Sequence, residues 1–320
     1  MHTGKKYVFC VCQPMLDLRI RGSDTLIQKY KLPNNGYIEL KSLPSQFSEL
    51  EPYNMTAGGS ALNTLRLISA WSDLPTFFVG AVGDDRNGKL LKEQLDRGGV
   101  INNLEVIKKY NTAICYVFIY GINRSLATYL GAANQLTLFH FNKCQIYLSQ
   151  SKYVYITGFM LQACPLIGSA LLNSITDQRI FLNLSATAIT TPLLMKAYFL
   201  ANYVIGNKDE YNHLLGINLE NNLFLEKKRN FEFDQKVLII TNGPKDTIYF
   251  KGNKQMDIIK VKNHTETLLD TCGAGDAFAA GFIAGIAKDL DIGDAIREGH
   301  KWAYRYIDEM TTDMKRILKK

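Results

Sequence analysis

Asp270-Thr271-Cys272-Gly273-Ala274-Gly275-Asp276-Ala277-Phe278 sets two glycines and a small residue just ahead of a carboxylate, and an apolar helical run from Ala277 to Ala287 follows. A glycine-rich turn that opens a helix aims several backbone N–H groups at one point, where the helix dipole adds partial positive charge. That point suits a phosphate. A carboxylate cannot bind phosphate, because like charges repel. Asp276 therefore needs another task beside the anion site: accepting the proton of a hydroxyl that attacks phosphorus. A plain N-cap aspartate would also account for a bare Gly-x-Gly-Asp. The longer string favours chemistry. Ala277, Gly281 and Gly285 recur every four residues and give the following helix one smooth face for close packing.

The chain has 320 residues, 47% of them hydrophobic. That is enough for one large α/β domain with room for a small appended one. The net charge of +7 comes partly from Glu226-Lys227-Lys228-Arg229, Lys315-Arg316 and Lys319-Lys320. These runs read as solvated surface, with a mild positive field that helps collect an anionic nucleotide. No pattern interleaves basic and aromatic residues, so no nucleic-acid partner is expected. No apolar run reaches membrane length, so no membrane partner is expected either. The run Tyr7–Cys12 reads as a strand rather than as the core of a signal peptide. Six cysteines include no C-x-x-C pair, and Cys10 and Cys12 share one side of that strand as small core residues. A reduced, cytoplasmic compartment is expected.

Strand-like runs alternate with helical ones. Strands are expected at Tyr7–Cys12, Thr76–Ala81, Tyr153–Thr157, Ile180–Leu184, Tyr203–Ile205 and Val237–Thr241. Helices are expected at Ser60–Trp71, Gly88–Arg97, Pro165–Ile175, Lys208–Leu215, Gly275–Ala287 and Gly293–Ile307. The alternation predicts a mostly parallel sheet between helical layers, and the nearly all-apolar strands fit a sheet covered on both faces. Residues 14–56 and 107–133 hold strand-like runs without a helical partner. Ile114–Tyr120, the turn Gly121-Ile122-Asn123-Arg124 and Leu126–Leu130 read as a hairpin. The expected division is a large α/β unit (1–13, 57–106 and 134–320) and a small β unit (14–56 and 107–133).

Three further motifs carry chemistry. Asp17, in Gln13-Pro14-Met15-Leu16-Asp17, follows the first strand, where ligands bind in open α/β sheets. Its two oxygens match a vicinal diol, although an Asx-turn explains it equally. In Ala57-Gly58-Gly59-Ser60-Ala61-Leu62-Asn63, the glycines permit close backbone approach, Ser60 reads as a helix cap, and Asn63 lies one turn into the helix. Asn207-Lys208-Asp209-Glu210 has the spacing of a capping-box analogue.

Together these strings resemble the ribokinase-like (PfkB) carbohydrate kinases. The C-terminal signature matches at Asp270–Asp276, with Cys272 where Asn or Thr is usual, and the N-terminal Gly-Gly signature matches at Gly58-Gly59. Asn123-Arg124-Ser125-Leu126 followed by Ala132-Ala133-Asn134 is similar to the adenosine kinases of that group, as are Tyr155–Met160, Phe181–Ala186 and Ile240–Pro244. The resemblance implies a ribokinase-like α/β/α sandwich with a small β-sheet lid, and phosphoryl transfer from Mg-ATP to the 5′-hydroxyl of adenosine. Asp276 would be the base. Gly273, Ala274 and Gly275 would supply N–H groups, and Arg124 would close from the lid. Asp17, Gly58, Gly59 and Asn63 would hold the ribose, with Met15, Cys115, Leu126, Leu130 and Met160 around the purine. Asn183, Asn207, Thr241, Gly243 and Thr271 would line the ATP. Asn207 and Glu210 would hold Mg2+ through water. A monomer is expected.

Several positions depart from the family pattern. Gln13 replaces an Asn, Met160 and Ala188 stand where aromatic rings are common, Gly36 replaces a polar residue, and Trp302 and Tyr304 replace small residues in a region that lines the ATP base. These departures keep two rivals open: a kinase of another nucleoside or sugar, and a nucleoside-binding protein with little catalysis. A dinucleotide-binding dehydrogenase is disfavoured, because no Gly-x-Gly-x-x-Gly follows the first strand.

Overall fold

The computed structural model describes residues 7–34, 36–120, 123–185, 191–215, 236–252, 255–261 and 271–318. Ala188, Asp270, the hairpin tip at 121–122 and the basic run at 226–229 lie outside these described residues.

Strand β1 (Tyr7–Val11) sits inside a nine-stranded sheet. On one side it pairs in parallel with β5 (Thr76–Gly83), which pairs in parallel with β6 (Ile101–Ile107). On the other side β9 (Ser151–Thr157), β10 (Arg179–Asn183), β11 (Tyr203–Asn207) and β12 (Val237–Asn242) follow in parallel. The antiparallel strands β13 (Lys245–Lys251) and β14 (Gln255–Ile259) finish that edge. A five-stranded sheet takes the order β3 (Tyr37–Glu39), β8 (Asn123–Tyr129), β7 (Ala113–Tyr120), β2 (Met15–Arg21), β4 (Asn54–Gly58).

The helices are α1 (Asp24–Lys29), α2 (Ser60–Trp71), α3 (Arg86–Arg97), α4 (Leu138–Lys143), α5 (Gln145–Ser149), α6 (Gly158–Ala163), α7 (Pro165–Ser174), α8 (Pro192–Leu200), α9 (Lys208–Leu215), α10 (Ala274–Ala287) and α11 (Ile292–Leu318). The period of β1 shows why the large sheet needs two helical layers. Val8 and Cys10 enter one apolar core, with residues of α2, α3, α10 and α11. Phe9 and Val11 enter the other, with residues of α4 to α9. Burial of each large apolar side chain stabilises by roughly 1.5–3 kcal/mol, so β1 is held from both faces. All six cysteines are free thiols.

The structure corrects several expectations. Residues 14–56 do contain a helix, α1, capped by Ser23, whose hydroxyl accepts from Leu26 N–H at 3.2 Å. Asn123 and Arg124 belong to strand β8 rather than to the turn, because Tyr120 already pairs with Asn123. The last helix runs past Ile307 to Leu318; residues 308–318 contain neither Gly nor Pro, and an Arg305–Glu309 pair at 2.9 Å supports the extension. Ala57 and Gly58 pair with Leu16 and Met15, which moves the join between the sheets to Gly59.

Trp302 does not approach a ligand site. It is buried against Trp71, with ring centroids 5.4 Å apart, and donates from Nε1 to Glu298 at 2.8 Å. A side chain on Gly281 would lie 2.8 Å from its ring, so the small face of α10 is what accommodates it.

Candidate active site

The C-terminal ends of β1, β9, β10, β11 and β12 open on a cavity of about 750 Å3, which the inner face of the second sheet and the start of α10 also line. Such an edge is where doubly wound sheets bind ligands.

Asp276 lines this cavity in the first turn of α10. Gly273 caps the helix with φ +89°, a left-handed conformation that disfavours a side chain. Ser60 Oγ donates to one carboxylate oxygen of Asp276 at 2.7 Å, and Asn63 Nδ2 donates to the other at 3.1 Å. Burial pushes the Asp276 carboxyl up to about 7; the Ser60 and Asn63 bonds pull it down, and the charges of Asp17 and Glu210 push it further up. A helix N-terminus favours a nearby anion by about 0.3–1 kcal/mol. Moving a carboxyl from 3.8 to about 7 corresponds to about 4 kcal/mol, so burial dominates. The result is a carboxylate that titrates near neutrality, as a general base requires.

Asp17 lies on β2 and faces the same cavity. A Cβ on Gly58 would come 2.2 Å from its Oδ2, so only glycine leaves the carboxylate its place. Gly59 then turns the chain into α2 with φ +101° and supplies the N-cap position without a side-chain bond. Ser60 is thus not the cap that its sequence position suggested. It is the first helical residue, and its hydroxyl is free to reach Asp276. Asn63, expected on the ribose, lines the cavity and gives one amide N–H to Asp276.

The chain matches the family described as pfkB family carbohydrate kinase over residues 38–312. It belongs to that family. It is 30% identical over 319 residues to an adenosine kinase of Schizosaccharomyces pombe and 27% identical over 332 residues to one of Dictyostelium discoideum, covering 92% and 94% of each chain. The crystal structure of Anopheles gambiae adenosine kinase in complex with P1,P4-di(adenosine-5) tetraphosphate superposes with a TM-score of 0.82 at 23% identity, covering 96% of both chains. The fold is ribokinase-like: a large, mostly parallel sheet between helices, with a second small sheet.

In this pfkB-family kinase, Arg124 reaches from β8 to the turn before α10, where Nη1 donates to Thr271 Oγ1 at 3.2 Å. Met15, Cys115, Leu126 and Leu130 line the cavity from the second sheet and its exit. Asn183, Asn207, Glu210 and Thr241 line its far end. Asn207 and Glu210 cap α9 reciprocally: Asn207 N–H donates to Glu210 Oε2 at 2.8 Å, and Glu210 N–H to Asn207 Oδ1 at 2.9 Å. Burial raises the Glu210 carboxyl, the Asn207 N–H lowers it, and Asp209 raises it further. Asn183 Nδ2 donates to the Tyr155 hydroxyl at 3.1 Å, and Thr64 Oγ1 lies 3.3 Å from that hydroxyl and 3.2 Å from the Asp276 carbonyl.

Other expected residues lie elsewhere. Met160 is fully buried in the core behind the sheet, because α6 starts at Gly158 and turns it inward; its exposed neighbour Phe159 lines the cavity instead. Ala274 does not line the cavity, and its N–H closes the turn onto Thr271 O at 3.2 Å. Gly273 and Gly275 do line it. Gly243, with φ +55°, sits in the β12–β13 turn outside the lining, and Gly58 and Thr271 also lie outside it, the first against Asp17 and the second bonded to Arg124.

The structure adds residues that the motifs did not single out. Arg19 lies two residues beyond Asp17 on the same face of β2 and lines the cavity. It bonds to the Tyr306 hydroxyl, whose ring covers Gly273: a Cβ there would lie 2.9 Å from it. Gln162 and the half-buried Cys272 also line the space.

Proposed function

We propose that this chain is an adenosine kinase that moves the γ-phosphoryl group of ATP to the 5′-hydroxyl of adenosine, giving AMP and ADP. The observation that carries the reading is the single cavity that joins Asp17 to Asp276 and the start of α10. In this reading Asp17 grips the two ribose hydroxyls with its two oxygens. Met15, Cys115, Leu126, Leu130 and Phe159 offer an apolar wall to the purine.

Ser60 and Asn63 fix the Asp276 carboxylate, which takes the proton of the 5′-hydroxyl as that oxygen attacks phosphorus. Positioned general-base help contributes about 10²–10⁴-fold. The N–H groups at Gly273 and Gly275 and the Arg124 guanidinium face the charge that develops on the transferred group. Preorganised donors of this kind contribute about 3 kcal/mol each. The residues also fit a magnesium ion. Among the described residues no group of three His, Cys, Asp or Glu side chains could hold a metal directly. Asn207 and Glu210 would hold Mg2+ through its waters, and the ion would neutralise phosphate charge.

One chain supplies both Asp17 and Asp276, so we take the working unit to be a monomer. No helix among the described residues is long and apolar enough to cross a membrane. We place the enzyme in the cytoplasm, where free thiols persist. An acceptor panel of adenosine, inosine, ribose and fructose, run with ATP and with GTP, tests the proposal. Adenosine with ATP should give the highest kcat/KM. A better acceptor than adenosine would remove the substrate assignment, and no turnover with any of them would remove the kinase reading.

A further inference from the structure

Ser185 stands two residues past the end of β10, where the sheet edge meets the cavity. Three of its properties are unusual together. Its backbone has φ +60°, a left-handed conformation that a non-glycine residue adopts at a cost. The residue is 93% buried, at 7% relative exposure. Its hydroxyl is shielded from solvent yet has no hydrogen-bond partner. A buried hydroxyl without a partner destabilises a fold, and native structures rarely keep one without a use. Two costs at one residue that lines a ligand cavity point to a partner that arrives with the ligand.

The neighbours indicate which ligand. Ser185 shares its end of the cavity with Gly206, Asn207 and Glu210 of the next strand end and with Thr241 beyond it, and Asp17 reaches the cavity from the other sheet. Two donors nearby are engaged: Asn183 gives an amide N–H to the Tyr155 hydroxyl, and Thr241 Oγ1 donates to Gly206 O at 3.3 Å. A hydroxyl offered there as a donor suits an anionic oxygen.

We propose that Ser185 is a phosphate-binding residue whose hydroxyl donates to the polyphosphate of the nucleotide co-substrate. This inference rests on the kinase reading of the cavity.

Calorimetry with ATP, ADP and adenosine on wild type, Ser185→Ala and Ser185→Gly tests it, together with thermal melts of the unliganded proteins. A hydrogen bond to a charged acceptor is worth about tenfold or more in affinity. Both variants should bind ATP and ADP at least about tenfold more weakly, with adenosine affinity unchanged. Neither should melt lower than wild type, since the substitutions remove an unsatisfied hydroxyl and Gly also relieves the turn. Unchanged ATP and ADP affinity in both variants, in a wild type that binds them, would overturn the role of Ser185 and leave the kinase reading intact. A lower melting temperature with unchanged affinity would make the residue structural, with the same consequence. A wild type that binds neither ATP nor ADP would overturn both readings.

Discussion

Asp276→Asn separates the two consequences of burying a carboxylate: basicity and instability. In wild type the group titrates at about 7 in the folded chain against an ordinary 3.8. The folded state therefore holds the proton more tightly than the unfolded one. By linkage, stability is full below about pH 4 and falls as pH rises toward 7, because the unfolded chain releases its proton first. At about 1.4 kcal/mol per pH unit the loss reaches at most about 4 kcal/mol above pH 7. Unfolding entropy for a chain of this length makes that roughly 6 °C in melting temperature.

Asn cannot ionise, so the variant escapes the loss. Its melting temperature should draw ahead of wild type between pH 4 and 7 and then hold a constant lead. Over the same range wild-type kcat/KM for adenosine should rise about tenfold per pH unit and level above 7, while the variant stays flat with pH, at least about a hundredfold below the wild-type plateau. Scanning calorimetry and initial rates across pH 4 to 9 give both curves. Turnover near wild type in Asp276→Asn, or a stability lead that does not vary with pH, would refute the reasoning.

Ser60→Ala and Asn63→Ala each remove a donor that lowers the Asp276 carboxyl; a pH–rate profile should show the acid limb moved up by about one pH unit in each. Asp17→Ala should raise KM for adenosine by about tenfold or more and leave KM for ATP near wild type in steady-state assays; equal effects would exclude a ribose role. Gly58→Ala should reproduce that pattern without touching a charge, since the added Cβ would stand 2.2 Å from Asp17 Oδ2; an unchanged adenosine KM would show that the carboxylate position is not what matters. Arg124→Ala should lower kcat more than either KM, because its guanidinium faces the α10 turn rather than the purine wall.

The parts legible in the sequence are those that local chemistry determines. Ser60–Trp71 and Lys208–Leu215 have the expected bounds, because helical periodicity and the Asn207–Glu210 exchange mark them. The start of α10 was legible to within one residue: the helix expected from Gly275 begins at Ala274, with Gly273 as its cap. What failed was phase in short elements and tertiary redirection of polar groups. α6 has six residues, too few to fix which of Phe159 and Met160 faces outward. α1 is equally short and buries one side chain, Ile27.

Ser60 has the residue type of a cap, and nothing local reveals that Gly59 takes that position and sends the hydroxyl to a residue 216 positions away. Arg19 was more accessible to reading: alternation along β2 puts it on the face of Asp17, a signal that needed the strand to be traced beyond position 17. Trp302 looked like an intruder at a nucleotide because the partners that enclose it, Trp71 and Gly281, are distant in sequence.

Asp17 lies on the small sheet and Asp276 on α10, which packs against the large sheet, and the two sheets are connected through residues 12–14 ahead of β2 and through Gly59 after β4. The gap between the two carboxylates is therefore set by the joint, like the jaws of a calliper. A nucleoside gripped at its diol is measured by the length of its hydroxymethyl arm: one carbon too few or too many leaves the oxygen off the base. Reach, alongside polarity, becomes a ground on which the protein chooses its alcohol.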